Sequence, residues 1–311
     1  MIDLHTHSNI SDGEFSPDQL IKEAASLGLR AIALTDHDTI NGLESARKTA
    51  VAENLYFIPG IEINISWSGG KGLPGIGPGG EFHLLGLGIN SPGQGLIAAV
   101  DRLFHSREAR SREILDRMHE LSIDATWEEL LAVAEHGMAE DTSASGGKSS
   151  KEAIERSLGR PHFAALLVKK KIVKNANQAF IRYLGAGKPL YVPKKGLTFD
   201  EAVSVIRESG GIPVLAHPIS LFIAWGRLPD LVKSLKDRGL MGIEAWHPTA
   251  KPGACRRLEA LGKSLGLYIT EGSDFHGYVR PDRKLGYSSA GRKIDDAILE
   301  AIPELANMNL C

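Results

Sequence analysis

Seven of the eleven histidines lie within, or directly after, a short apolar run of β-like character, and that placement limits the folds open to this chain. His5 and His7 close the run that begins Ile2-Asp3-Leu4, His37 follows Ala31-Ile32-Ala33-Leu34, and His83 opens Leu84-Leu85-Gly86-Leu87. His217 follows Ile212-Pro213-Val214-Leu215-Ala216, His247 closes Gly242-Ile243-Glu244-Ala245-Trp246, and His276 ends Gly272-Ser273-Asp274-Phe275-His276. Glu62 follows Ile58-Pro59-Gly60-Ile61 in the same way. Alternate side chains of a strand share a face, so His5 and His7 point together, as do Asp274 and His276. A single His-x-His arises readily by chance. Two rigid pairs of imidazoles and carboxylates are what a cluster of borderline divalent metals needs. Such residues at the strand ends of an alternating strand–helix chain mark a barrel with its site on one rim.

The order of elements supports this. A strand at 2–4 leads through a loop bearing Asp12 to a helix opened by Ser16-Pro17-Asp18-Gln19, a capping box with Pro at its first position, and stopped near Gly28. Further strands follow at 31–35, 56–65 and 81–87, with a helix over about 39–53 and a Gly/Pro-rich loop at 69–80. This βαβα rhythm favours a parallel sheet or barrel. It breaks between 95 and 187, where apolar residues recur at helical spacing (Ile97, Val100, Leu103; Ile114, Leu115, Met118). Within that stretch, 138–150 is Ser/Gly-rich and expected to be mobile. After Lys188-Pro189-Leu190-Tyr191-Val192-Pro193 the alternation resumes, with a second capping box at Thr198-Phe199-Asp200-Glu201 and a last helix over about 295–305. A barrel formed by 1–94 and 188–311 is thus expected, cut by a helical insertion at 95–187.

Bulk properties exclude several classes. A net charge of −2 argues against a protein built to coat nucleic acid, so no stable double-stranded DNA binding is expected. Cys255 and Cys311 are too few for a disulfide framework, which fits a reducing compartment. No apolar run approaches the roughly 20 residues that span a bilayer, and a strand stands where a signal peptide would be. A soluble, cytoplasmic protein is expected.

The residues resemble the PHP (polymerase and histidinol phosphatase) metal-dependent phosphoesterases. The resemblance rests on Asp3-Leu4-His5-Thr6-His7-Ser8, Thr35-Asp36-His37-Asp38, Pro59-Gly60-Ile61-Glu62, His83-Leu84-Leu85-Gly86, Ala216-His217-Pro218 and Gly272-Ser273-Asp274-Phe275-His276. The insertion is similar to that of a stand-alone branch through Ala179-Phe180-Ile181-Arg182-Tyr183-Leu184-Gly185 and Tyr191-Val192-Pro193. Members of that branch act on nucleotides, including nucleoside 3′,5′-bisphosphates, or on the 5′ ends of short RNA. The resemblance implies an α/β fold, a distorted (β/α)7 barrel with up to three divalent metals at its C-terminal rim. His5, His7 and Asp274 would hold one metal, with Glu62 bridging to a second that His83 and His217 complete. Asp12, His37 and His276 would hold the third; the family often has His where this chain has Asp12. Mixed N/O ligation suits Mn²⁺, Fe²⁺ or Zn²⁺ and does not choose among them.

The expected reaction is hydrolysis of a small phosphorylated substrate, a nucleotide, with a metal-bound hydroxide attacking in line. His247 is a candidate to contact phosphate or to protonate the leaving group, and a structural histidine at a strand end is the alternative. Arg182 is the favoured contact to a second phosphate, ahead of Lys195 and Lys194. Ser8, Ser11, Ser273, Asp36 and Asp38 are read as residues that orient ligands. Trp67, Trp225 and Trp246 are read as packing residues. The insertion is expected to form a wall or lid that sets substrate choice. Two other activities stay open, a 5′→3′ exoribonuclease on short RNA and an amidohydrolase cleaving C–N bonds. The second would leave Asp12, His37 and His276 without a purpose.

Overall fold

The computed structural model describes residues 1–66, 80–139, 155, 158–278 and 280–308. Trp67, nearly all of the 69–80 loop and most of the Ser/Gly-rich 138–150 stretch lie outside the described residues. Seven strands, β1 (Ile2–Asp3), β2 (Ala31–Leu34), β3 (Tyr56–Asn64), β4 (His83–Leu87), β5 (Ile212–Leu215), β6 (Gly242–Trp246) and β7 (Tyr268–Glu271), form one sheet in chain order. Beyond the ends of β1 and β7 the chain closes on itself: Thr6 bridges Phe275, the His7 N–H donates to Phe275 O at 2.9 Å, and the Asp274 N–H donates to His5 O at 2.9 Å. The result is a distorted (β/α)7 barrel.

One strand departs from the parallel reading. β4 runs antiparallel to both β3 and β5, while β1–β3 and β5–β7 are parallel. Parallel neighbours need a long crossover, usually a helix, and none is described between β3 and β4. The reversal has a consequence for function. His83, the first residue of β4, pairs with Asn64, the last of β3, so a strand start is delivered to the rim where the other strands end.

Alternation along β2 shows how the layers form. Ala31 and Ala33 join Ile2, Leu4, Ile58, Leu85, Leu87, Ile212 and Val214 in one core, and Ile32 and Leu34 face the helices Pro17–Ser26 and Leu43–Ala52 in another. Burial on both faces explains the continuous apolar run. The C-terminal segment adds Ile294, Leu299, Ile302 and Leu305 to the first core, and Tyr56, at the start of β3, donates its hydroxyl to Leu305 O at 2.6 Å. That end of the barrel is therefore apolar and filled. The helix expected at 295–305 is two short helices, Ala297–Glu300 and Pro303–Ala306, because Pro303 cannot continue a helical hydrogen-bond ladder. The second expected helix starts later than residue 39, at Leu43.

Local signals elsewhere hold. Ser16 and Gln19 form the reciprocal capping box, Thr198 accepts from the Glu201 N–H at 3.3 Å, and Gly28 takes φ +73°, a conformation that suits glycine after a helix.

The chain divides into two compact units, residues 1–100 with 196–311, and residues 101–195. These boundaries lie several residues later than composition suggests. The first falls inside the single helix Gln94–Glu120, where nothing in the sequence marks a stop. The second moves because Leu190 and Val192 belong to the core of the helical unit, and Arg110 and Arg117 donate to Val192 O and Tyr191 O. That core is built on Phe163, Leu166, Leu167, Met118 and Leu130.

Candidate metal centre

Strand alternation puts Glu62 on the same face of β3 as Ile58, inside the barrel, and it is 1% exposed. Five imidazole nitrogens surround its two oxygens. Oε1 lies 2.9 Å from His83 Nδ1 and 2.8 Å from His217 Nε2. Oε2 lies 3.4 Å from His5 Nε2, 3.3 Å from His7 Nε2 and 2.9 Å from His37 Nδ1. On one side, Asp274 Oδ1 stands 3.6 Å from His5 Nε2 and 3.2 Å from His7 Nε2. On another, Asp12 Oδ1 stands 3.2 Å from His276 Nε2 and 3.9 Å from both His37 Nε2 and His7 Nδ1. The nine side chains expected as ligands thus meet in one cluster. His7 faces two of its groups, one through Nε2 and the other through Nδ1.

Whether divalent metals fit can be judged from the polar atoms themselves. His7 Nδ1, His37 Nδ1 and Glu62 Oε2 are buried with no hydrogen-bond partner. Ring nitrogens also face one another, at 3.1 Å for His5 Nε2 and His7 Nε2 and 3.3 Å for His83 Nδ1 and His217 Nε2. Buried polar atoms are almost always satisfied, and imidazole and carboxylate groups converging this closely are what a cation satisfies. The donor set of imidazoles and carboxylates fits a borderline divalent ion.

Two further residues complete the arrangement. Glu244, 1% exposed on β6, accepts from His5 Nδ1 at 2.9 Å and from the His217 N–H at 2.7 Å. It fixes the His5 tautomer so that Nε2 faces the cluster. Arg283 donates to both the carboxylate and the carbonyl of Asp274. The sequence reading missed both. Glu244 left a signal, a carboxylate in the middle of the apolar run 242–246. Arg283 left none, because it sits among other charged residues in a loop.

Three strained backbone positions lie here. Asp38, His217 and Asp274 have φ of 53°, 27° and 51°, a region in which non-glycine residues cost of order 1–3 kcal/mol each and persist only when their surroundings hold them. The Glu244 bond to the His217 N–H and the His5 bond to the Asp274 N–H do that holding. Gly272 allows the end of β7 to approach this closely, since a Cβ there would stand 2.7 Å from Glu244 Oε1.

Electrostatics follow from burial and neighbours. Burial opposes charge on His5, yet Glu244 and Glu62 outweigh it and push His5 up to about 10. Burial likewise opposes ionisation of Glu62 and Glu244, and the histidines overcome it, holding Glu62 well below the usual carboxylate range and Glu244 down to about 2. Burial dominates at His37 and His276, each held down to about 4. His247 is buried between Asp274 Oδ2 at 3.1 Å and Thr249 Oγ1 at 2.7 Å, and burial holds it well below the imidazole range.

The orienting residues also have positions. Asp36 accepts from the Ser8 N–H and hydroxyl at 2.7 and 2.6 Å and from the Ser11 hydroxyl at 2.6 Å, pinning the loop after β1. Asp38 accepts from the Asn64 N–H, and Ser273 Oγ from the Phe275 N–H. Arg182, Lys194 and Lys195 belong to the helical unit and are exposed. Trp246 packs outward, its Nε1 donating to Glu259, and Trp225 stacks under Arg257.

The PHP domain family profile matches residues 3–157, the stretch that carries six of these nine residues. A 5′-3′ exoribonuclease Rnm from Salmonella typhimurium is 30% identical over 278 residues, covering 88% of this chain and 84% of that protein. The chain belongs to the PHP domain family. A 3′,5′-nucleoside bisphosphate phosphatase from Chromobacterium violaceum is 28% identical, with 92% of this PHP chain and 91% of that protein covered. A solved structure from the same organism, described as an amidohydrolase with bound sulfate and no metal, superposes with a TM-score of 0.74 at 27% identity over 96% of each chain.

Proposed function

We infer that the substrates of this metal-dependent phosphoesterase are nucleotides, such as nucleoside 3′,5′-bisphosphates or monophosphates, and that up to three divalent ions, Mn²⁺, Fe²⁺ or Zn²⁺, occupy the cluster. The observation that carries the reading is Glu62, one carboxylate whose two oxygens are each approached by imidazoles from different strands, the setting of a ligand shared between ions. Divalent metals supply an activated water at neutral pH and neutralise charge on the phosphate oxygens. The protein's own residues position and hold. Glu244 and Asp36 lock the strand ends, and Asp274 offers Oδ1 to the cluster while Oδ2 is held by His247 and Arg283. Burial holds His247 well below the imidazole range, and both ring nitrogens are engaged, Nε2 with Asp274 Oδ2 and Nδ1 with Thr249. This favours a residue that positions Asp274 over an acid to the leaving group. The helical unit, with Arg182 and Lys195, is our candidate for substrate choice.

A second reading, 5′→3′ exoribonuclease on short RNA, draws support from the similarity to exoribonucleases over 88% of the chain. No described helix is long and apolar enough to cross a membrane. The test is phosphate release, after reconstitution with Mn²⁺, from a panel of bisphosphates, monophosphates, bis-p-nitrophenyl phosphate and 5′-phosphorylated oligoribonucleotides. Release from bisphosphates ahead of the oligonucleotides supports the first reading. Progressive shortening of the oligonucleotides from the 5′ end supports the second. Inertness toward the whole panel refutes both.

A further inference from the structure

Among the described residues, Arg283 is the one lysine or arginine ion-paired with a carboxylate of the cluster. Its Nη1 donates to Asp274 Oδ2 and, at 3.2 Å, to Asp274 O. Its Nε is buried with no hydrogen-bond partner, the Asp282 carboxylate being 3.9 Å away, and Nη2 has none among the described residues. Nε and Nη2 together form the side-on edge of the guanidinium, whose two parallel N–H bonds match two oxygens of a phosphate. A buried donor without a partner needs a reason.

The surroundings supply one. Burial pulls Arg283 below the usual guanidinium range while Glu62, Asp12 and Glu244 oppose the shift, so the cation sits within electrostatic reach of the whole cluster. Its side chain is 13% exposed although Nε is buried, so the guanidinium is not wholly sealed from solvent. Asp274 divides its oxygens, Oδ1 toward His5 and His7 and Oδ2 toward Arg283, so one end of the guanidinium is anchored and the other is free.

We propose that Arg283 is a substrate-binding residue whose side-on edge, Nε and Nη2, takes two oxygens of the substrate phosphate that enters the metal cluster. This rests on the phosphoesterase reading above and names a contact within the same site. Anchoring by Asp274 costs the interaction little entropy, because the fork is already oriented before the ligand arrives. A lysine would keep the charge and lose the fork.

Arg283→Gln and Arg283→Lys in the full-length protein test this, with metal content by elemental analysis and inorganic phosphate affinity by calorimetry on the reconstituted protein. Both variants should retain the wild-type metal content. Phosphate affinity should fall about ten- to a hundred-fold in Arg283→Gln, and Arg283→Lys should recover only part of it. Metal content falling in step with phosphate affinity would overturn the proposal, because Arg283 would then serve only to hold Asp274. Wild-type phosphate affinity in either variant, or no phosphate binding by the wild type, would overturn it too. A wild type that binds phosphate yet cleaves no ester would defeat the phosphoesterase reading alone.

Discussion

The interior of the helical unit is Phe163, Leu166, Leu167, Met118, Leu130 and Ala134, and ion pairs such as Arg112–Glu108 lie on its surface. The rim of the barrel buries the opposite kind of residue: His5 and His7 at 0%, Glu62 and Glu244 at 1%, His276 at 2%. A surface pair of that sort contributes little, and the apolar core carries the helical unit's stability. Buried carboxylates and imidazoles are costly unless fully paired, and here three polar atoms have no partner. Among the described residues, the buried polar atoms left without a partner lie in the barrel unit and none lies in the helical unit, so the rim is the part whose polar groups fit bound cations. The apolar opposite end of the barrel, closed by Ile302 and Leu305, is what lets the rim carry so much unpaired polarity.

The contrast is broken most directly at Glu62. Glu62→Gln keeps the side chain's volume and removes the charge that five imidazoles share. Turnover should fall by roughly a thousandfold, about 4 kcal/mol of barrier, and bound metal should fall below the wild-type value while circular dichroism stays unchanged. Near-normal turnover would show that Glu62 is not shared between ions.

Next in size is a pH effect confined to the barrel. Glu271, at the end of β7, is 2% exposed, and burial, only partly offset by Arg292 and Ser288, pushes it up to about 7. An acid with a raised folded pKa holds its proton more tightly when folded. It therefore costs stability as pH climbs from the ordinary carboxylate value of 4.5 through about 7. Glu271→Gln removes that titration and forfeits the Arg292 pair at every pH above the window. Its stability relative to wild type should improve between pH 4.5 and pH 8 by up to about 3 kcal/mol. Urea melts at the two pH values check this, and a difference that does not change with pH would sink it.

Much of the barrel was legible because chemistry and geometry coincide at its strand ends. A histidine after four apolar β-formers marks both a strand terminus and a ligand, so Ala31–Leu34 with His37 and Ile212–Leu215 with His217 could be read together. The direction of β4 was legible in principle from the Gly/Pro-rich sequence at 69–80, which carries no apolar pattern of a crossover helix. Arg283 was not, since only the folded loop brings it to Asp274. The late boundaries of the helical unit were hidden for a similar reason: Leu190 and Val192 follow a proline and resemble a strand, and only the core around Phe163 claims them.

A smaller effect sharpens the comparison within the rim. Glu244 supports His5 and His217 without being one of the nine residues expected to bind metal. Glu244→Gln keeps an acceptor for His5 Nδ1 and removes the negative charge that makes His5 a better donor. Metal affinity should fall by up to roughly a hundredfold, with turnover restored at saturating metal. Turnover that stays low at saturating metal would mean that Glu244 contacts substrate or metal itself.

The smallest effect belongs to the helical unit and asks whether it takes any part in recognition. Arg182 lies in the π-helical turn Phe180–Leu184, exposed, its guanidinium 5.3 Å from the Tyr183 ring and its Nη2 3.5 Å from the Tyr183 hydroxyl. With Lys171, Lys174 and Gln178 it lines a cavity of about 500 Å³ whose other walls are Val168, Ile172 and Val173. Among the described residues no carboxylate lines that cavity, which leaves its cations facing an anion without a competing acid. If Arg182 holds a phosphate away from the scissile one, Arg182→Ala should weaken use of nucleoside bisphosphates by about ten-fold and spare bis-p-nitrophenyl phosphate, which has no second phosphate to hold. The loss should appear in KM rather than kcat, because the contact is made equally in the ground and transition states. Equal losses on both substrates would assign Arg182 to the fold of its own unit. Unchanged kinetics on both would leave substrate choice entirely to the barrel rim.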